Sequence, residues 1–249
     1  MRVGVIGLGR FGRLWATLMQ EHADAVYVWN RSDRPHPEGT IRLTDDDYAM
    51  LDVVFLCTSI SSVAEVGRHI APRLAPHTIV ADTCSVKVLP MQILREVLPP
   101  ENPLLGTHPM FGPDSARDGA AGLPMVLCRE RIQDDAYVKL RSFLEKYSMQ
   151  LLEMTADEHD KEAAYTQGIT HFIGRVMKDL DLQASPIATL GYTRLLQVME
   201  QTCNDPWTLF VDLQQQNPYT AEMRRRIKHS LDRFLHILDN EDTATGPPS

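Results

Sequence analysis

The sequence predicts an α/β fold in which a doubly wound parallel sheet comes first and an all-helical domain follows. Three observations carry this. Short runs rich in Val and Ile alternate with amphipathic helical patterns as far as Met154, a glycine-rich turn joins the first run to the first helix, and from Thr155 onward only helical periodicity continues.

The expected strands are Val3 to Leu8, Val26 to Trp29, Val53 to Cys57, Ile79 to Ala81, Met125 to Leu127 and Gln150 to Met154. None alternates apolar with polar residues, as strands covered on both faces should read. Helical spacing falls between them at Phe11 to Glu21, Ser61 to Leu74, Val88 to Val97 and Asp134 to Tyr147. Four more helical stretches follow, at Ala156 to Asp181, Pro186 to Cys203, Pro206 to Gln216 and Tyr219 to Leu238. Two domains are expected, 1–154 and 155–240, with a polar tail over 241–249 that ends in Gly-Pro-Pro-Ser and is expected to be disordered. Met177, Met199 and Met223 read as core filler.

Composition narrows the function classes. A formal net charge of -8 over 249 residues disfavours nucleic acid or a membrane as partner, since either needs a basic face. Cys57, Cys84, Cys128 and Cys203 lie far apart with no C-x-x-C pair, so neither a metal site nor a disulfide framework is expected. The N-terminus enters a strand pattern without signal-peptide architecture, and no run approaches the ~18 apolar residues of a membrane span. A cytoplasmic protein is expected.

"MRVGVIGLGRFGRLWATLM" sets Gly7, Gly9 and Gly12 at G-x-G-x-x-G spacing between a strand and an amphipathic helix. Gly7 permits the tight turn, Gly9 lets the backbone approach a pyrophosphate, and Gly12 lets helix pack on strand, while the helix N-terminus offers N–H groups to the anion. The N-terminal domain is therefore expected to be of the Rossmann type, with Gly7, Leu8, Gly9, Arg10, Phe11 and Gly12 on the cofactor, together with Cys57 and Thr58 after the third strand. At the end of the second strand, where an NAD site carries an acidic residue, stand Asn30, Arg31 and Ser32. A guanidinium and a hydroxyl suit a 2'-phosphate, so NADP is expected over NAD. Arg34 is a second candidate cation. The alternative has Arg31 solvated and Asp33 turned to the ribose.

Two further motifs follow. "ADTCSVK" places Asp82, Ser85 and Lys87 at the carboxyl end of the sheet, and "GTHPMFGP" sets His108 on a loop stiffened by Pro109, Gly112 and Pro113, just past an apolar strand. Ligands in open α/β sheets bind outside those strand ends, so Ser85 and His108 can face one cavity. Ser85 reads equally as an N-cap for the helix near Val88, and Lys87 as a solvated residue.

With "QGITHFIGRVM" at Gln167 to Met177, "SPIATLGYTRLLQVME" at Ser185 to Glu200 and "NDPWTLF", these motifs resemble the prephenate and arogenate dehydrogenases of tyrosine biosynthesis, above all the plant-type arogenate branch. The resemblance covers nearly the whole chain. It implies that His108 is catalytic, with Ser85 in the hydrogen-bond network of the substrate hydroxyl, in an oxidation of a ring carbinol by hydride transfer coupled to loss of carbon dioxide. A neutral imidazole accepting the hydroxyl proton suits that chemistry. It also implies that Gln167, Thr170 and His171, on one helical face, meet the substrate with Lys87, and that Gly168 and Gly174 serve homodimer packing in the helical domain. Asp205 matches an acidic position that would favour the ammonium of arogenate; it reads also as a helix N-cap before Pro206. Arg194 is a candidate for the ring carboxylate. Prephenate is the alternative substrate, and an NADP-binding protein without catalysis the alternative class.

Overall fold

The computed structural model describes residues 1–239; the expected tail over 241–249 lies outside the described residues. Eight strands form one sheet, β1 (Arg2–Ile6), β2 (Ala25–Trp29), β3 (Ile41–Arg42), β4 (Val53–Leu56), β5 (Ile79–Asp82), β6 (Leu104–Pro109), β7 (Pro124–Arg131) and β8 (Gln150–Glu153), in the order β3-β2-β1-β4-β5-β6-β7-β8. Helices α1 (Arg10–Met19), α2 (Val63–Ile70), α3 (Val88–Val97) and α4 (Asp134–Glu145) cover it. The central strands are buried on both faces, and the two-residue period of the strand sends successive side chains to opposite cores. Val53 and Phe55 join Trp15 of α1 and Leu140 of α4, whereas Val54 and Leu56 join Val63 of α2 and Leu94 of α3.

Two strand expectations change. β6 is an additional strand whose only apolar run is Leu104–Leu105, too short to read as one. It holds His108, paired opposite Val126 of β7, so this histidine lies inside a strand and not on the loop beyond it. The sheet is also not wholly parallel. Residues 110–123 return the chain to the neighbouring position without a crossover helix, and such a return can only pair antiparallel, as β6 and β7 do.

After β8 the described chain is helical: α5 (Ala156–Ala163), α6 (Ile169–Asp179), α7 (Leu190–Cys203), α8 (Trp207–Gln216) and α9 (Thr220–Asp239). A Thr155–Glu158 capping box starts α5. One π-turn, Ala164–Gly168, separates α5 from α6 where a single helix was expected, and such turns often mark functional positions. A Cβ on Gly174 would overlap the Thr202 hydroxyl of α7, and one on Gly168 would press on Thr220. Both glycines therefore allow close helix packing within the chain.

Candidate active site

β1 and β4 are neighbours in the sheet while their following connections leave to opposite faces, which opens a crevice at their carboxyl ends. The glycine loop fills one side of it. Gly7 adopts φ +102°, and a Cβ on Gly12 would overlap the Gly7 carbonyl oxygen, so both positions demand glycine. Nothing stands within 4 Å of where a Cβ on Gly9 would be, which leaves the loop and the N-terminus of α1 open to a phosphate. These features fit a dinucleotide.

A cavity of about 510 Å³ extends from this loop to the helices beyond the sheet. Gly9, Arg10, Phe11, Gly12, Cys57 and Thr58 line its sheet side with Ser85 and His108, and Gln167, Thr170, His171 and Asp205 close it from the helical side. Four polar atoms at its wall are buried with no internal partner: Thr58 Oγ1, Ser85 Oγ, Gln167 Oε1 and His171 Nδ1. Such atoms cost free energy unless a bound molecule satisfies them. Ser85 caps no helix, since Lys87 occupies the N-cap of α3. Asp205 likewise stands before the N-cap of α8, Pro206, and is free to face the cavity.

His108 is 4 % exposed. Burial holds its imidazole well below the ordinary histidine value, and the nearby Lys87 ammonium adds to the effect. Its Nδ1 lies 2.8 Å from His159 Nε2, and His159 Nδ1 lies 2.8 Å from Asp160 Oδ1. Neither His159 nor Asp160 was expected to matter. The signal was present as "EHD" directly after a capping box, but only the long-range contact with His108 gives it meaning.

On the helical side Asp205 Oδ2 lies 3.9 Å from His171 Nε2 and Oδ1 lies 3.8 Å from Arg10 Nη1. Burial pushes the Asp205 carboxyl up, and it pushes His171 down against the opposing pull of Asp205. Arg175 holds the corner between α7 and α8 by donating to the carbonyls of Thr202, at 3.3 Å, and Asp205, at 2.7 Å, while stacking over Trp207 and Phe210.

Two expected substrate contacts are not brought to the cavity. Lys87 is fully buried, its ammonium paired with Asp82 and donating to the Thr107 carbonyl at 2.6 Å, so it braces β5 against β6. Arg194 is exposed on α7, two turns before the cavity-lining Gln201 and thus about 10 Å along the helix.

A second cavity, of about 220 Å³, opens beyond β2 and is lined by Leu8, Asn30, Ser32, Arg34 and Arg42, among others. Asn30 accepts from Leu8 N at 2.9 Å and donates to Ser32 Oγ at 2.9 Å, which ties the glycine loop to the end of β2. Arg31 lines neither cavity; it pairs with Glu65 of α2 at 3.0 Å, both side chains largely exposed.

Over residues 39–152 the chain matches the family model described as prephenate dehydrogenase, nucleotide-binding domain, and over 176–245 the one described as TYRAAT1-like, C-terminal domain. It is 35% identical over 239 residues to arogenate dehydrogenase 2, chloroplastic, of Arabidopsis thaliana, which covers 91% of this chain and 67% of that protein. Arogenate dehydrogenase 1, chloroplastic, of the same plant is 34% identical over 240 residues, 91% of this chain and 37% of the relative. The chain thus spans about two thirds of one relative's length and just over a third of the other's. Among solved structures, Synechocystis arogenate dehydrogenase superposes with a TM-score of 0.73 at 19% identity, over 97% of this chain and 93% of that one. Prephenate dehydrogenase from A. aeolicus, in complex with hydroxyphenyl propionate and NAD+, superposes with a TM-score of 0.76 at 16% identity, over 98% and 92%. At those identities the likeness is one of fold.

Proposed function

The chain belongs to the prephenate and arogenate dehydrogenase family of oxidoreductases, and from that premise we propose that it oxidises L-arogenate to L-tyrosine and carbon dioxide with NADP. The observation that carries this reading is the convergence on one cavity of the glycine loop, a histidine with one nitrogen left for a ligand, and four unpartnered buried polar atoms.

A nicotinamide held by the glycine loop would supply the hydride acceptor for the ring carbinol of the substrate. As hydride leaves, His108 takes the hydroxyl proton at Nε2, and burial keeps that imidazole neutral and ready as a base. Ser85 Oγ holds the same hydroxyl. As the ring carboxylate leaves as carbon dioxide, the electron pair of the broken bond passes into the ring and onto the carbonyl oxygen, and that phenolate oxygen takes the proton back from His108. Gln167, Thr170 and His171 orient the substrate from the helical side, where Asp205 meets the side-chain ammonium of arogenate.

The 2'-phosphate of NADP is assigned to the second cavity, where Arg34 and Arg42 supply two guanidinium groups and Ser32 a hydroxyl, and where Asp33, 4.0 Å from Arg42, is the acidic group the phosphate would displace from that pair. This moves the role from Arg31 to its neighbours. Prephenate is the second reading, favoured by Arg10, whose charge 3.8 Å from Asp205 offsets the carboxylate. A homodimer through the helical domain completes the proposal.

The test is product analysis. With L-arogenate and NADP the purified protein is expected to form NADPH, L-tyrosine and carbon dioxide in equal amounts, and absence of NADPH formation with both arogenate and prephenate would remove the reading.

A further inference from the structure

We propose that His159 and Asp160 are positioning residues that fix the tautomer of His108, and so make its cavity-facing nitrogen a proton acceptor. This rests on the reading of His108 as the base. For His159 in its uncharged form, the inference follows from hydrogen-bond polarity. The backbone N–H groups of Lys87 and Val88 donate to Asp160 Oδ1 at 2.7 Å and Oδ2 at 2.9 Å. Both carboxylate oxygens are therefore acceptors, and His159 Nδ1, 2.8 Å from Oδ1, must bring its own hydrogen. A neutral imidazole has one N–H, so His159 Nε2 carries a lone pair. His108 Nδ1, 2.8 Å away, must in turn donate. The single hydrogen of neutral His108 then sits on Nδ1, and Nε2 is left with its lone pair for the cavity.

The opposite tautomer would set two lone pairs against each other between rings that are 4 % and 2 % exposed. When Nε2 takes the substrate proton, His108 becomes an imidazolium whose Nδ1–H still donates to His159, and the Asp160 carboxylate stands behind as countercharge. The other charged groups facing His108 are the Lys87 ammonium and its partner Asp82. A histidine oriented through its far nitrogen by an acidic group follows the general logic of base-orienter pairs.

The test uses the full chain with histidine side chains labelled with nitrogen-15, comparing wild type, His159→Leu and His159→Gln. Long-range proton-nitrogen spectra report the tautomer, and steady-state assays with arogenate and NADP separate kcat from KM. Wild type is expected to carry hydrogen on His108 Nδ1. The leucine variant, which offers no acceptor, should move it to Nε2 and lower kcat by about 100-fold or more, with KM changed less than about threefold. In the glutamine variant the side-chain carbonyl can accept from Nδ1, so the tautomer and kcat within about tenfold of wild type should return. A wild-type spectrum with hydrogen on Nε2 would overturn the proposal even if neither variant folds. So would a leucine variant that keeps the Nδ1 hydrogen and wild-type kcat. Wild-type protein silent with arogenate and prephenate would count against the dehydrogenase reading alone, since the tautomer is read without turnover.

Discussion

At the scale of single residues, one environment separates three groups that look alike in sequence. Ser85 and Lys87 follow β5 and His108 lies within β6, yet Lys87 is fully paired and walled off, Ser85 keeps an unpartnered hydroxyl at the cavity, and His108 keeps one nitrogen there. Replacing His108 with asparagine should lower kcat about 100-fold or more while leaving the dissociation constant for NADP nearly unchanged; binding by titration and turnover on the same sample would check it. The pH profile follows from the lowered imidazole value. The neutral form is the active one, and His108 protonates only well below pH ~6.5. kcat/KM should therefore stay level from about pH 8 down to ~6.5 and fall only on further acidification, whereas an unperturbed histidine would halve it near ~6.5. His108, Ser85 and Asp205 were legible because each sits in a motif with a chemical reason for its residue type. Lys87 and Arg194 were not: sequence supplies a cation and a helical face, but not whether a buried carboxylate has already claimed the cation, or how far along the helix the cavity lies.

At the scale of elements, the connections after strands carry the function, and their spacing is read more readily than their partners. The glycine loop was legible because Gly7 and Gly12 answer steric demands set within six residues of chain, φ at one and overlap with the other's carbonyl. β6 and its antiparallel partner were not, because an antiparallel return depends on where residues 110–123 lead and not on local propensity. The π-turn before α6 is likewise set by tertiary packing. Gly12→Ala should cost about 1–3 kcal/mol of stability, since the added methyl cannot fit without moving α1 from β1, and should weaken NADP binding; urea denaturation with cofactor titration would show both. In the second cavity, Arg34→Ala should weaken NADP at least about tenfold more than NAD, and equal losses for the two dinucleotides would place the 2'-phosphate elsewhere.

At the scale of the whole molecule, the sheet brings the glycine loop and His108 to the cavity while the helices bring Gln167, Thr170, His171 and Asp205. Contacts across the cleft join the two. Asp160 of α5 accepts from the start of α3, Asp212 of α8 accepts from the backbone of Ile60 and Ser61, and Arg10 donates to the Asn204 carbonyl at 3.1 Å. The helical part also leaves large apolar side chains exposed among the described residues. Leu231, Phe234, Leu235 and Leu238 form an i, i+3, i+4, i+7 stripe on α9, and Ile187 and Leu190 stand exposed at the start of α7. Sedimentation is expected to give the mass of two 28.1 kDa chains, and Phe234→Glu with Leu235→Glu to return it to one. The measurement that tests the central claim most directly is kcat/KM for L-arogenate and for prephenate, with NADP, in the wild type and in Asp205→Asn. The wild type is expected to prefer arogenate, and the substitution to move preference toward prephenate by about tenfold or more, the scale of one lost charge-assisted contact. A wild type that prefers prephenate, or a preference untouched by the substitution, would contradict that claim.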